Sequence, residues 1–300
     1  MTEEAVCVLD CKNHLGEGAV WDDRDGVLWW VDVPPPSSLH RWDPASGRHD
    51  NWAMPEMIMS IAVREQGGLL IASHHGLNTF DPAEGRLVRL LEPEADQPRN
   101  RSNDGGTDAR GRFWFGTMQN NIAEDGSAVP ITESSGALYR IDPDLTVTRM
   151  EGGIGISNTF AWNPDWTRFY FADTLIGWIY AYDFDLEAGT IADRQPFARI
   201  DELGYPDGST IDAEGYLWNA RWGGGCVVRF APDGAIDRIA KLPADKVTSC
   251  TFGGPDLDTL YITTARYEST EDDRRRQPRA GGLFAVRPGI KGLPRPRFAG

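Results

Sequence analysis

Three hundred residues with 45 Asp and Glu against 30 Lys and Arg carry a formal net charge of −15, and so acidic a chain repels nucleic acid and anionic membranes at long range. No apolar stretch approaches a membrane span or a signal peptide, and the start, Met1-Thr2-Glu3-Glu4, is acidic where a secretory segment would be basic, so a cytoplasmic protein is expected. With 33 Gly, 20 Pro and 11 Trp, punctuation is frequent, aromatics fall in short apolar runs and no amphipathic helical pattern is sustained, which points to an all-β chain.

In chain order, Val6-Cys7-Val8-Leu9 reads as a strand too early for the first repeat, and it is expected to pair with the last repeat and close a ring. A strand-turn-strand unit with a third strand then recurs. The first copy runs from Leu15-Gly16-Glu17-Gly18, before Trp21, through Leu28-Trp29-Trp30-Val31 to Leu39-His40-Arg41-Trp42-Asp43-Pro44. A second copy holds Gly67-Gly68-Leu69-Leu70-Ile71 and Leu77 to Pro82. The third sets Arg101-Ser102-Asn103-Asp104 before Thr107, then Phe113-Trp114-Phe115 and Leu138 to Pro143. A fourth sets Ile156-Ser157-Asn158-Thr159 before Trp162, then Phe169-Tyr170-Phe171 and Ile179 to Asp183. The fifth sets Tyr205-Pro206-Asp207-Gly208 before Ile211, then Leu217-Trp218 and Val227 to Pro232. The sixth holds Asp258 to Ile262 and Leu283-Phe284-Ala285-Val286. Copies spaced by roughly 40 to 60 residues are propeller blades of four antiparallel strands with loops of variable length. The expectation is one six-bladed β-propeller domain over residues 1–300, built around a central channel. The charge run Glu271 to Arg276 is expected as a solvated loop inside the sixth blade.

Other chemistry finds little support. Cys7, Cys11, Cys226 and Cys250 lack the close paired spacing of a zinc site and are expected as reduced strand thiols. No Gly-x-Ser-x-Gly elbow or Walker loop is present, and Gly152-Gly153-Ile154-Gly155 lacks the rest of a dinucleotide fingerprint. Adjacent residues of a strand face opposite sides, so His74-His75 should offer at most one ligand to any ion. His14, His40 and His49 have no partner motif and read as surface or packing residues. The sequon Asn100-Arg101-Ser102 has no meaning without secretion.

Four of the six repeats share a carboxylate or amide at one register, ahead of the apolar run. Any one of Asn103-Asp104-Gly105, Asn158 or Asp207-Gly208 is an ordinary turn former. Four recurrences place Glu, Asn and Asp oxygens together at the mouth of the channel, and a ring of such oxygens is a hard-cation site.

These motifs resemble the SMP-30/gluconolactonase/regucalcin-like sugar lactonases over essentially the whole chain: Leu15-Gly16-Glu17-Gly18-Ala19-Val20-Trp21, Asn103-Asp104-Gly105 with Asp108, Gly111-Arg112-Phe113-Trp114-Phe115-Gly116-Thr117-Met118, Ser157-Asn158, Tyr205-Pro206-Asp207-Gly208 and Phe252-Gly253-Gly254-Pro255-Asp256. The resemblance implies a six-bladed propeller with one divalent cation held by Glu17, Asn158 and Asp207, with Asn103 beside it and Arg101 contacting substrate. The ion would be Ca2+ or Zn2+, with Mn2+, Mg2+ and Fe2+ also compatible. Animal members carry acidic residues shortly after Gly-Thr-Met, whereas this chain has Asn120 and Asn121. Its sugar-facing wall therefore differs.

The expected reaction is hydrolysis of a sugar lactone, an aldono-1,4- or 1,5-lactone, to the sugar acid. The cation polarises the carbonyl and activates water, Asp207 is the general base, and Arg101, Asn103, Asn120 and Asn121 are the substrate contacts. Arg221 and Tyr267 are further polar neighbours suited to a polyhydroxylated partner, and the loops around Met57-Ile58-Met59 or Trp222 are alternative specificity walls. Two readings stay open beside it: a non-catalytic calcium-binding propeller, and a propeller hydrolase of non-sugar lactones or phosphotriesters. No oligomeric state is indicated.

Overall fold

A computed structural model describes residues 2–300. β1 (Thr2–Glu4) and β2 (Val6–Leu9) precede the first repeat. Blade one is β3 (Gly16–Asp22), β4 (Val27–Asp32), β5 (Ser38–Trp42) and β6 (His49–Ala53). Blade two is β7 (Ile58–Val63), β8 (Leu69–Ser73), β9 (Leu77–Asp81) and β10 (Arg86–Leu91). Blade three is β11 (Asn100–Thr107), β12 (Phe113–Gln119), β13 (Gly136–Ile141) and β14 (Val147–Ile154). Blade four is β15 (Ser157–Trp162), β16 (Arg168–Asp173), β17 (Trp178–Asp185) and β18 (Thr190–Ala198). Blade five is β19 (Tyr205–Ile211), β20 (Leu217–Trp222), β21 (Cys226–Phe230) and β22 (Ile236–Lys241). Blade six is β23 (Val247–Gly253), β24 (Thr259–Thr264), then α1 (Glu271–Arg276) and β25 (Leu283–Val286).

The blades are antiparallel, and their first strands contact one another in a ring, β3 to β7 to β11 to β15 to β19 to β23 and back to β3. β2 pairs antiparallel with β25 as the outermost strand of blade six, so the chain's start closes the last blade as expected. β1 adds in parallel to β22. The core lies between blades, where Trp30, Trp114 and Trp218 of the second strands are fully buried.

The polar segments are themselves the starts of innermost strands, and each contains a slip in the pairing with the second strand: between Glu17 and Val20, Ser102 and Gly105, Asn158 and Ala161, and Pro206 and Ser209. A bulge leaves residues out of the ladder and re-aims their side chains. In blade one Gly18 takes φ +60°, where an added Cβ would lie 3.1 Å from the Met59 carbonyl oxygen. In blade four the corresponding strain falls on β-branched Thr159 at φ 62°. Two bonds hold it there: its N–H donates to Asp104 Oδ2 at 3.0 Å and its hydroxyl to the Asp207 carbonyl at 2.6 Å.

Three expectations are corrected. Glu271 to Arg276 is a short exposed helix rather than a loop, because Thr270 and Asp273 form a reciprocal cap and the acidic first turn and basic last turn suit the helix dipole. Met57 to Met59 is no surface loop: Ile58 and Met59 lie in β7 and all three are buried. His74 and His75 lie in a bend after β8 rather than within a strand, and their rings stack at 4.2 Å and 12° instead of facing apart.

Candidate metal centre at the channel mouth

The four bulges bring Glu17 from β3, Asn103 from β11, Asn158 from β15 and Asp207 from β19 to the wall of one cavity of about 320 Å³. Arg101, Asn121 and Tyr267 line it as well, with Ile156, Leu175, Tyr205 and Trp222 forming an apolar side. Asp207 and Asn158 are buried at 5% and 4% exposure, and Glu17 is half-buried.

Like charges dominate the electrostatics. Burial, then the charges of Asp207 and Asp104, push the Glu17 carboxyl well above the usual carboxylate range. Burial, then Asp104, does the same to Asp207. Asp104, one residue past Asn103, is raised by burial to about 6, although it accepts from Gly105 N at 2.8 Å and Thr159 N at 3.0 Å. Neither Glu17 nor Asp207 forms an ion pair among the described residues. The charges of Arg101 and Arg221 offset these effects only in part, and desolvated carboxylates set close together are stabilised by a bound cation.

The hydrogen-bond network turns the amides to match. Asn158 Nδ2 donates to Thr174 Oγ1 at 2.8 Å, and that hydroxyl donates to the Pro206 carbonyl at 2.7 Å. Asn158 Oδ1 is left as an acceptor and receives Asn103 Nδ2 at 3.1 Å, while Asn103 Nδ2 also donates to the Ser157 carbonyl at 2.8 Å. Asn103 therefore orients Asn158. Among the described residues no group of three or more His, Cys, Asp and Glu side chains meets at metal-holding spacing, so the donor set rests on two carboxylates and an amide oxygen. Such an oxygen-only set fits a hard divalent cation.

Arg101 is 4% exposed and clamped. Nη1 donates to the Ser102 carbonyl at 2.8 Å and Asn103 Oδ1 at 2.6 Å, while Nε and Nη2 reach Asn121 Oδ1 at 3.3 and 2.8 Å. Every one of these partners is neutral, and no carboxylate pairs with it among the described residues. Burial lowers its pKa to about 10, still a cation near neutral pH. Tyr267 Oη donates to the Asn121 carbonyl at 3.4 Å, which ties the blade-six loop to this wall.

Two of the expected polar neighbours are placed elsewhere. Asn120 folds onto its own loop, with Nδ2 donating to the Ile122 carbonyl at 2.9 Å and Oδ1 accepting from Ile122 N at 3.1 Å; it does not line the cavity. Arg221 is 1% exposed and spends its donors on the carbonyls of Leu203, Ile200 and Gly204 and on Asn219 Oδ1. It braces the loop before β19. Sequence reasoning missed Thr174, which follows β16 with no motif around it, and gave Asp104 no role of its own. The recurrence of carboxylate and amide in one segment was the available signal for Asp104.

Residues 15–266 match the family described as SMP-30/Gluconolactonase/LRE-like region. The chain is 37% identical over 294 residues to pentonolactonase XacC of Haloferax volcanii, covering 96% of this chain and 95% of the relative. It is 36% identical over 303 residues to a 6-deoxy-6-sulfogluconolactonase of Pseudomonas putida, covering 100% of both. Among solved structures, a calcium-binding protein called regucalcin from Agrobacterium tumefaciens superposes with TM-score 0.91 at 32% identity, covering 99% of each chain.

Proposed function

The chain belongs to the SMP-30/gluconolactonase/LRE-like family, and we propose that it is a sugar lactonase, working as one domain, that opens an aldonolactone to the sugar acid with the help of one divalent cation. The observation that carries this reading is the convergence of Glu17, Asn158 and Asp207 on one cavity beside a clamped Arg101. Glu17, Asn158 and Asp207 would hold the cation, and when bound it supplies Lewis acidity toward a carbonyl and acidifies a water. The all-oxygen donors favour Ca2+, Mg2+ or Mn2+ over the softer choices.

The chain's own residues divide the remaining work. Asp207, whose carboxylate lies against the cation site on the cavity wall, accepts the proton of the attacking water. Arg101 presents its remaining donor capacity and its charge to the lactone oxygens, and Asn121 and Asn103 fix its plane. Tyr205 and Trp222 offer apolar faces to the carbon side of a sugar ring. Because Asn121 leaves the charge of Arg101 uncancelled, lactones bearing an anionic substituent are favoured, and the similarity to a sulfogluconolactonase supports that preference. The acidic net charge and free thiols fit a cytoplasmic setting, and no helix among the described residues is long and apolar enough to cross a membrane.

The test is acid release from a panel of neutral and anionic aldonolactones, with the cation removed by chelator and restored. Hydrolysis lost and regained with the cation supports the reading. Cation binding without acid release from any lactone would favour the calcium-binding alternative.

A further inference from the structure

The segment after β25 crosses the base of the channel. Gly292 N donates to the Leu257 carbonyl at 2.8 Å and Ala213 N to the Lys291 carbonyl at 2.9 Å, anchoring it to blades five and six. Phe298, fully buried, donates its N–H to the Val63 carbonyl at 2.9 Å, and Ala299 N bonds the Gly111 carbonyl at 3.0 Å, anchoring it to blades two and three. Between the anchors Pro294 and Pro296 restrict the backbone on either side of Arg295. Arg297 turns outward to Asp22 and Asp23 of blade one.

Arg295 turns the other way, into the channel. Its Nη2 donates to the Ser209 carbonyl at 3.1 Å, and it lines a narrow void of about 10 Å³ together with Asp104, Gly105, Ser60 and Ser249. No carboxylate forms an ion pair with it among the described residues, and the carboxylate its charge acts on is Asp104. Asp104 stands between it and the mouth. Three carboxylates, Glu17, Asp104 and Asp207, are then set against three guanidinium groups, Arg101 and Arg221 beside the mouth and Arg295 below.

We propose that Arg295 is a positioning residue for the cation site: a fixed positive charge, inserted from the base of the channel, that holds the mouth carboxylates together while no cation is bound. The proposal rests on the cation-binding part of the reading above and not on the lactone. It sets a trade-off. The charge that stabilises the cation-free protein also opposes the incoming ion, so the site binds less tightly than its carboxylates alone would allow, which keeps it exchangeable.

The experiment uses the full chain, with Ca2+ or Mn2+ alone as the probe. Arg295→Gln is expected to bind the cation about three- to tenfold tighter, the scale of one charge removed from a partly buried neighbourhood. Its thermal midpoint should fall more in chelator than in saturating cation. Arg295→Lys should restore both properties. Asp104→Asn should weaken cation binding, and the double variant Asp104→Asn with Arg295→Gln should return close to the wild-type affinity, a coupling that stays measurable if Arg295→Gln alone folds poorly. An unchanged affinity, or an equal fall in midpoint with and without cation, would reduce Arg295 to its bond with Ser209 and overturn the proposal. A wild-type protein that binds no divalent cation overturns both readings, whereas cation binding with these shifts but no lactone hydrolysis overturns only the proposed function.

Discussion

Four innermost strands, taken with the residue that follows three of them, carry two polar residues five positions apart: Glu17 and Asp22, Asn103 and Asp108, Asn158 and Asn163, Asp207 and Asp212. The first of each pair sits at the mouth and the second at the base, and the two ends are treated in opposite ways. At the base, Asp212 is fully buried and saturated: Oδ2 accepts Trp218 Nε1 and Arg229 Nε, both at 2.8 Å, and Oδ1 accepts the N–H groups of Glu214 at 2.9 Å and Tyr216 at 3.0 Å. Asp108 repeats this with Trp114 at 2.8 Å, Arg112 Nε at 2.7 Å and Arg110 N at 2.9 Å. Asn163 caps the same turn in blade four through Thr167 N and Arg168 N, at 3.0 and 2.8 Å. At the mouth, Glu17 and Asp207 have no cationic partner among the described residues. Burial of a satisfied carboxylate builds a turn, while burial of an unsatisfied one builds a binding site.

The widest separation between the two ends is expected from paired substitutions of Asp207 and Asp212. Asp207→Asn should lower turnover by about 10²–10⁴, the usual consequence of losing a proton acceptor, while the cation-free protein gains stability because a repelling charge is gone. Turnover near wild type would place the base elsewhere. Asp212→Ala should do the reverse. Arg229 keeps its ion pairs with Glu214 and Asp237, but its Nε, the Trp218 indole N–H and the turn amides of Glu214 and Tyr216 lose their acceptor. Leaving buried donors unsatisfied costs about 1–3 kcal/mol, read as a fall in the denaturant midpoint with the Michaelis constant of the folded fraction unchanged.

A smaller effect is expected at the mouth's polar wall. Arg101→Ala should raise the Michaelis constant by about ten- to a hundredfold with little change in turnover, the scale of one or two charge-assisted hydrogen bonds. Asn121→Glu would pair with Arg101 and cancel its charge, so the ratio of anionic to neutral lactone activity should fall several-fold; an unchanged ratio would move specificity to Tyr205 and Trp222.

The smallest effect on activity concerns blade one's outer strands, saturated like the base. His40 stacks on Trp30 at 5.0 Å and bonds His49 and Ser38 at 3.0 and 2.8 Å. Burial, then the charge of His49, lowers its pKa from 6.5 to about 4. The unfolded chain therefore takes up a proton that the folded chain refuses. Stability present above pH 6.5 should decline as pH falls toward 4, by about 3 kcal/mol. Denaturant midpoints measured across that window should show the slope, and His40→Gln should flatten it.

How far the site could be read in advance depends on the range of the interactions involved. The blade count, the closing strand β2 and the mouth register follow from local alternation, turn residues and spacing. The stacking of His74 on His75 and the inward fold of Asn120 were not legible, because each is decided by a bend whose geometry depends on what lies beside it, whereas the helix at Glu271 rests on a local signal, the Thr270 and Asp273 cap, that reading the segment only as a charge run passed over. Arg221 and Arg101 share a residue type, and only their surroundings separate a loop brace from a cavity wall.

By itself the amino-acid sequence determined a propeller, its repeat and the recurrence of a carboxylate or amide at one position of four blades, since these rest on periodicity, whereas the choice of Glu17, Asn158 and Asp207 among those residues as cation ligands is what the family resemblance implies. The tertiary structure alone decided which carboxylates stay unpaired, which way the amides of Asn103 and Asn158 point, and that Arg295 enters the channel from below. Those outcomes depend on groups from different blades, more than a hundred residues apart in the case of Asp104 and Arg295, and they exist only after the ring has closed and water has been excluded from its centre.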